Sequence, residues 1–557
     1  MYRLLRTSDS LSEIEINPHL PVFCDTETME DEGYSSGGLY GKIRLFQLYQ
    51  EDWDMAIIID CMYVPLENVL DLVHPHRLVF HNAAFDVHTI NRKTKNVWIP
   101  DGGIEDTLYL SRLAYWTKTK FGFYDCLEYA RLNDDTINNI DKKEEQKSDW
   151  SGPLSNRQLI YAACDVIYLC PLFNLLQEFT QDIVYRVDID SLYLAVEYTR
   201  TGMPVNQETV KTLQLKYMSE LENVLELLPI NPRSYTKAAK YLGTKDTKSE
   251  TLIEEIRSGN ERAQFIKTAR HCYKSLEYLN SYDRPVIRGF FQPCTSLSGR
   301  FSCTGGNVYE YANLQQMPEE LHSVVEAPEG YHIIYKDYSG LELRMAAAFT
   351  GEPTMCHLMK TGADMHLETA KYLFSKDDIS DEERTVAKTF NFSAIYGGGV
   401  HTIRNVLWYD AGVNMPFNEV KELRNKWFDM YKGFSSWHKI FKRQMNIYGY
   451  IDVDTALGRQ VRAYKLTDAL NIPIQGSSAE VTKMSLLILK RKYPDANIIN
   501  TIHDSNILLH PANEAEFWGN ALSESMVESW KYVIEDLADP DIPMPGGFEH
   551  GPIWTFH

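Results

Sequence analysis

Two sets of acidic residues in this sequence are spaced for chemistry on phosphate esters. In PVFCDTET an apolar run ends on Asp25 and Glu27, two residues apart, so a strand points both to one face. Asp86 follows Asn82 on a helix-like stretch, and Tyr161 and Asp165 stand one helical turn apart in QLIYAACDVIYL. Four carboxylates and a phenol brought together suit two Mg2+ or Mn2+ ions in a site that cleaves a phosphodiester. One ion would lower the pKa of the attacking water and the other stabilise the leaving 3′-oxygen, with Tyr161 orienting that water. Each piece alone is ordinary. An Asp-x-Glu after a strand commonly caps a turn, and Tyr-x-x-x-Asp is a frequent amphipathic pair. Their order and placement are what raise the odds.

The second set begins in HIIYKDYSGLELRMAAAF, a buried strand ending near Asp337, then a turn at Ser339–Gly340 and a helix. ANIINTIHDSNILLH has the pattern of a hairpin turning around His503, Asp504 and Ser505. An aspartate at a strand end and another in a hairpin turn can face each other across a sheet, a second two-metal arrangement for transfer to a 3′-hydroxyl. Between them, in RTVAKTFNFSAIYGGG, Arg384, Lys388, Phe392 and Tyr396 recur every fourth residue and form one helical stripe. Two cations at one end suit a triphosphate, and two aromatic rings further along suit a base. Taken alone, an aromatic stripe of this kind is expected to be core.

The elements that must position these groups follow from periodicity. PVFCDTET, IRLFQLYQ and MAIIID are three strands joined by glycine-bearing turns such as Gly37–Gly38. LENVLDLV is helical, RLVFHN a further strand, and AAFDVHTI and QLIYAACDVIYL helices, which together make an α/β domain with a mixed sheet. NDDTINNIDKKEEQKSD is charged and poor in apolar residues, the pattern of a surface loop. From about 183 to 290 the signal is helical, interrupted at Pro204, Pro229, Pro232 and Gly243. The end, IPMPGGFEHGPIW, is expected to form a strand and a compact terminus anchored by tryptophan.

The totals narrow the class. A chain of 557 residues, 44% hydrophobic and 24% charged, has the composition of several ordinary globular domains. Its nine cysteines are scattered without zinc spacing, so buried thiols in a reducing cytoplasm are expected. No run of consecutive apolar residues suggests a membrane span, and the N-terminal residues lack a secretory pattern. The net charge of −21 argues against a coat protein for nucleic acid and leaves room for an enzyme with a local basic cleft.

The motifs together resemble known families. Asp-x-Glu on the first strand, Asn-x-x-x-Asp mid-domain and Tyr-x-x-x-Asp on the last helix resemble the DEDD 3′–5′ proofreading exonucleases, whose fold is ribonuclease H-like. DYSGLELR, RTVAKTFNFSAIYG and IHDS, in that order, resemble the palm and fingers motifs of family A DNA polymerases, the DNA polymerase I group. GRFS followed by NLQQMP, DMHLETA, NIPIQGSSAE and the terminal Gly-x-x-Trp agree, and the compact layout is phage-like.

The resemblance implies an α/β multidomain enzyme: an exonuclease domain over 1–182, then a right-hand polymerase domain over 183–557. The thumb would span about 183–295, palm and fingers about 296–557, and the fingers about 353–435. It implies two Mg2+ per active site, with Mn2+ as a substitute, held by Asp25, Glu27, Asp86 and Asp165 in one site. In the other they are held by Asp337, Asp504 and the carbonyl of Tyr338. Arg384, Lys388 and His366 would hold the triphosphate, with Phe392 and Tyr396 lining the nucleotide pocket and Glu342 excluding a 2′-hydroxyl. Arg300, Asn471, Gln475 and His503 would contact the primer terminus or template, and Lys237, Lys240, Lys267, Arg270 and Lys274 the phosphates.

Primer-template DNA and deoxynucleoside triphosphates would be the partners of a cytoplasmic monomer, with no membrane and with any helicase or processivity factor unidentified. Neither a preceding 5′ nuclease domain nor a thioredoxin-recruiting thumb insertion is expected. Three departures stand out. Ser505 replaces a usual carboxylate, Gly340 a usual polar side chain, and a longer loop, Cys303–Ala312, follows Arg300 and Ser302. The rivals are a nuclease whose C-terminal half only binds DNA, a nonenzymatic replication scaffold, and a single-subunit RNA polymerase. Intact Asp337, Lys388 and Asp504 weigh against the first, the exonuclease acids against the second, and Glu342 with the proofreading site against the third.

Overall fold

The computed structural model describes residues 1–30, 41–138, 140, 142–145, 148–305 and 311–556. The expected Gly37–Gly38 turn and residues 306–310 of the Cys303–Ala312 loop lie outside the described residues. The chain divides into two compact units, the first made of Met1–Thr201, Phe290–Cys303 and Asp452–Arg462. The remainder, Gly202–Gly289, Thr304–Ile451 and Ala463–His557, forms the second.

The first unit is built on strands β1 (Tyr2–Leu5), β2 (Val22–Met29), β3 (Lys42–Tyr49), β4 (Ala56–Asp60), β5 (Leu78–Phe80) and β6 (Ile104–Asp106), in the sheet order β1-β4-β3-β2-β5-β6. β2 runs antiparallel to β3 and parallel to β5, so the sheet is mixed, as its sequence pattern implied. The edge strand β1 was not visible in the periodicity. Helices α1 (Leu66–Val73), α2 (Ala83–Lys93), α3 (Thr107–Ala114) and α4 (Phe123–Ala130) follow.

The charged stretch 133–149, expected as a loop, holds two single-turn helices among its described residues, α5 (Asp135–Asn138) and α6 (Lys142–Glu145). The Asp134 carboxylate accepts the Thr136 and Ile137 amides, and Glu145 is buried against Arg157 at 2.7 Å. Local capping and the ion pairs of Arg157 with Glu144 and Glu145 supply what the apolar content does not. Asn139, Asp141, Gln146 and Lys147 of that stretch lie outside the described residues.

Helices α7 (Asn156–Leu176) and α8 (Ile183–Thr201) complete the layer, so the first compact unit runs on to Thr201, past the expected boundary at 182/183. α7 starts in a full capping box, Ser155 accepting the Gln158 amide while Gln158 returns a bond to Ser155. That start fixes the phase in which Tyr161 and Asp165 face the sheet. Asn156–Gln181 is long and apolar enough to cross a membrane by length and composition, a property the count of consecutive apolar residues missed. Here 61% of its apolar window is buried, because α7 packs on β2 and β3.

The second unit opens with β7 (Met203–Pro204) and helices α9 (Gln207–Glu226), α10 (Tyr235–Leu242), α11 (Ser249–Arg257) and α12 (Glu261–Tyr282), with α9 packed along α12. Short strand β8 (Val286–Ile287) precedes β11 (Tyr331–Asp337) in this unit, while β9 (Phe290–Gln292) and most of β10 (Ser302–Thr304) belong to the first. Next come α13 (Leu341–Thr350), α14 (Pro353–Thr361), α15 (Met365–Phe374), α16 (Asp381–Ile395), α17 (Val400–Tyr409), α18 (Phe417–Met430) and α19 (Lys432–Tyr448). The hairpin β12 (Ile451–Asp454) and β13 (Gln460–Ala463) belongs almost wholly to the first unit, and the second continues with α20 (Leu466–Lys492), β14 (Ile498–Ile502), β15 (Ser505–Pro511), α21 (Ala515–Ile534) and β16 (Glu549–Gly551).

Four of these strands make the sheet β14-β15-β11-β16, against which α21 packs. The terminal Trp554 is 1% exposed and stacks on His322, the anchored end its sequence implied.

Candidate active sites

In the first unit, alternation along β2 turns Asp25 and Glu27 to the face covered by α7. Carboxylate oxygens of Asp25, Glu27 and Asp165 lie within 4.8 Å of one another. Asp86, in the first turn of α2, accepts the Thr26 hydroxyl at 2.7 Å. That helix begins at Asn82, held in the left-handed region at φ 69°. The buried Asp106 carboxylate accepts the Asn82 and Ala83 amides at 2.9 and 2.8 Å, fixing the helix end that carries Asp86. The Tyr124 hydroxyl donates to Asp165 at 3.2 Å, and Tyr161 stands one helical turn before Asp165 on α7.

All four acids and Tyr161 line one cleft of about 1110 Å³, with His81, Phe123 and Trp150 in its walls. Burial first, then the charges of Asp86, Asp165 and Glu27, push Asp25 well above the usual carboxylate range. Burial and the charges of Asp165 and Asp86 do the same to Glu27. Burial lifts Asp86 and Asp165 to about 7 against the hydroxyls that bond them. Converging carboxyls that disfavour one another's ionisation are the environment a divalent cation relieves. An all-oxygen donor set fits Mg2+ or Mn2+ rather than a thiolate-seeking metal.

In the second unit, Asp337 ends β11 and Asp504 sits in the two-residue turn joining β14 to β15. The Tyr338 amide donates to the Asp504 carbonyl at 3.2 Å, tying the turn to the strand end. The Tyr338 ring is buried, its hydroxyl bonding the Met526 carbonyl and Ser529 at 3.2 and 3.1 Å. His503, beside Asp504, takes φ 53°, a strained value for a non-glycine residue. Burial, the Asp504 charge and a hydrogen bond shared between the two carboxyls raise Asp337 to about 7. Asp504 is raised by burial and by the charge of Glu342. This pair too has an oxygen-only donor set in need of positive charge.

Gly340 caps α13 in the left-handed region at φ 66°, and a Cβ there would meet nothing within 4 Å. Backbone conformation, not space, therefore favours glycine at this departure from the family pattern. It sets Glu342 in the first turn of α13, where the Tyr396 hydroxyl donates to its carboxylate.

Helix α16 starts in a capping box between Ser380 and Glu383. Its buried face is Val386, Ala387, Phe390, Asn391, Ala394 and Ile395. Arg384 and Lys388 are exposed, and Phe392 and Tyr396 only half-buried, so the stripe that read as core lies beside the core. His366, 6.0 Å from the Phe392 ring, joins this surface from α15. Arg384 is held at 2.8 Å by Asp364, the N-cap of α15.

Asn391 is the hub behind them. The Trp427 indole, a pure donor, bonds its Oδ1 at 2.8 Å, so its Nδ2 donates to His366 Nδ1 at 3.0 Å. His366 therefore carries its proton on Nε2, and burial lowers its pKa to about 4.

Asn471 and Gln475 stand one turn apart on α20, and Asn471 Oδ1 is buried with no hydrogen-bond partner among the described residues. Arg300 lies in Phe290–Cys303 of the first unit and is not part of the unit that holds Asp337 and Asp504.

Lys237, Lys240, Lys267 and Lys274 are exposed as a phosphate-binding surface requires. Arg270 is different. It donates to the Pro232 carbonyl at 2.8 Å and to the Thr247 carbonyl and hydroxyl at 2.7 and 2.9 Å, so its guanidinium is spent on bracing loops. Sequence reasoning also missed Tyr124, Asp106, Trp150 and Asn391. Only Asp364 left a signal, the N-cap spacing in ADMHLE.

Comparison with known proteins assigns the two parts of the chain to families. The model for DNA polymerase family A matches residues 195–555, and that for 3′–5′ exonuclease matches residues 2–181. DNA polymerase I of Aquifex aeolicus is 26% identical over 579 residues, covering 95% of each chain. The DNA polymerase of Mycobacterium phage L5 is 24% identical over 95% of this chain and 93% of its own. Against the thermostable DNA polymerase I of Thermus filiformis, 24% identical, the match spans 75% of this chain and 50% of that one. The solved POL domain of Pol1 from M. smegmatis, in complex with DNA primer-template and dNTP, has the same fold. Its TM-score is 0.78 at 18% identity, over 100% of this chain and 99% of that one.

Proposed function

Since this chain belongs to DNA polymerase family A and carries a 3′–5′ exonuclease domain, we propose that its two carboxylate clusters are the two active sites of a proofreading replicative polymerase. In this reading Asp337 and Asp504, with the Tyr338 carbonyl, hold two Mg2+ for extension, and Asp25, Glu27, Asp86 and Asp165 hold two for removal of the 3′-terminal nucleotide. A divalent cation at either site supplies charge neutralisation at phosphate and an activated oxygen nucleophile.

The chain's own groups do the rest. Arg384 and Lys388 bind the triphosphate oxygens, and His366, neutral and protonated on Nε2, donates one more hydrogen bond without adding charge. Arg384 exchanges Asp364 for phosphate when the nucleotide enters. Phe392 and Tyr396 take the base and sugar, and Tyr396 holds Glu342 where a 2′-hydroxyl would clash. Asn471, Gln475 and His503 take the primer terminus or template, and Arg300, on the first unit, is a further DNA contact. In the exonuclease, Tyr161 orients water toward the terminal phosphate while Tyr124 fixes Asp165 from the other side.

The observation that supports this most is that each unit has its own convergent carboxyls, pushed toward neutrality by burial and by one another. Primer-template DNA and deoxynucleoside triphosphates are the substrates, and the near full-length likeness to a phage polymerase favours phage DNA replication as the setting. Extension of an end-labelled primer with all four triphosphates, and its shortening without them, tests the reading.

A further inference from the structure

We propose that Arg44 is a positioning residue of the exonuclease that acts through Trp150 on Tyr161, an inference that rests on the role given to Tyr161 above. Arg44 lies on β3, is 3% exposed and does not line the cleft. Its Nε donates to Asp60 Oδ1 at 2.9 Å and its Nη2 to Oδ2 at 3.2 Å. Asp60 is wholly buried and takes a further bond from Arg6 at 3.2 Å. The remaining arm, Nη1, donates to the carbonyls of Trp150, Ser151 and Gly152 at 2.9, 3.2 and 3.2 Å. Three successive carbonyls thus turn inward onto one nitrogen.

That segment has no regular structure of its own between α6 and α7. Its path is set by Arg44 and by Gln158 Nε2, which donates to the Asp149 carbonyl at 3.1 Å. Held this way, Trp150 is 4% exposed in the cleft wall, its ring centroid 6.4 Å from that of Tyr161. The Tyr161 ring is thus set beside Trp150, one turn before Asp165 on the same helix.

Stability alone does not account for the pair. Taking an arginine and an aspartate out of water costs free energy that apolar residues of similar volume avoid. What an apolar pair lacks is the set of carbonyl bonds that shapes the Trp150 segment. The guanidinium therefore acts on the cleft wall, and through it on the orientation of the phenol that aligns water. Small misplacements of such a group are costly, with about 1 Å worth up to roughly a hundredfold in rate.

The test is degradation of a single-stranded, end-labelled oligonucleotide by the full chain with Mg2+. Arg44→Met removes every donor at similar volume, and Trp150→Leu alters the same wall while leaving the buried ion pair intact, should the first variant fold poorly. Both should lower kcat about tenfold with KM and single-nucleotide extension unchanged, and Arg44→Lys should recover part of the loss. In a Tyr161→Phe background, Trp150→Leu should cost little more, because one route is already cut. Additive losses, an effect on KM alone, or an unchanged kcat in Trp150→Leu would overturn the positioning role. A Tyr161→Phe variant with unchanged kcat would instead overturn the assignment of Tyr161, and the positioning role with it.

Discussion

Asp337 and Ser505 are direct partners in the antiparallel register of β11 and β15. Ser505 is 4% exposed, and its hydroxyl donates to the Ile502 carbonyl at 3.0 Å, so it serves the hairpin that presents Asp504. A carboxylate there would add a third negative charge, almost without water, beside a pair that already repel. Ser505→Ala should lower folding stability by about 1 kcal/mol and leave the kcat of extension unchanged. Ser505→Asp should lower stability further without raising kcat. Urea melts and single-nucleotide incorporation check both, and a faster Ser505→Asp enzyme would contradict this view of the hairpin.

Sugar selection should divide between two residues. Glu342 and Tyr396 share a hydrogen bond, whereas Phe392 has no hydroxyl to replace a missing 3′-hydroxyl. Glu342→Ala should relax the exclusion of ribonucleotides and Phe392→Tyr that of dideoxynucleotides, each independently of the other. The ratios of kcat/KM for the three sugar types in an Asp25→Ala background decide it. Equal losses for all three sugars would mean that both residues only pack α13 against α16.

Asp86, Asp165 and Asp337 titrate near 7 in the folded chain, against an ordinary value of 3.8. A raised carboxyl pKa means that the folded state binds the proton more tightly than the unfolded state. The stability so gained is fully present below 3.8 and is lost as pH rises through about 7. In chelator these groups should therefore lower Tm progressively between about pH 4 and about pH 7. Mn2+ competes with the same protons, so the Tm difference between Mn2+ and chelator should widen over that range. Asp86→Asn with Asp165→Asn should shrink the widening.

Affinity for primed DNA should fall with salt despite the net charge of −21, since cations that meet phosphates release counterions. Removing Lys267 or Lys274 should reduce the slope of log Kd against log salt by about 1 per lost contact. Arg270→Ala should leave the slope unchanged and instead lower stability, because its donors hold Pro232 and Thr247. Titrations at several salt concentrations, paired with thermal melts, separate the two outcomes.

What was legible in the sequence is what depends on short spacing. Alternation along β2 placed Asp25 and Glu27, and an i, i+4 pair placed Tyr161 with Asp165. Both motifs of the second site fell on the strand end and the hairpin turn that apolar patterning marks. What was not legible depends on partners far apart in the chain. Arg44 meets Trp150 across 106 positions and Tyr124 meets Asp165 across 41. Arg270 misled because a cation in sequence does not reveal where its donors go. The aromatic stripe of α16 misled because its neighbours Phe390 and Asn391 take the buried face.

If two independent active sites share this chain, single substitutions should separate the two activities. Asp504→Ala removes a carboxylate from one site and Asp25→Ala from the other. With Mg2+ and an end-labelled primer, Asp504→Ala should lose extension yet still shorten single strands, and Asp25→Ala should extend without shortening. Loss of both activities in either variant, with its fold intact by circular dichroism, would contradict the two-site account.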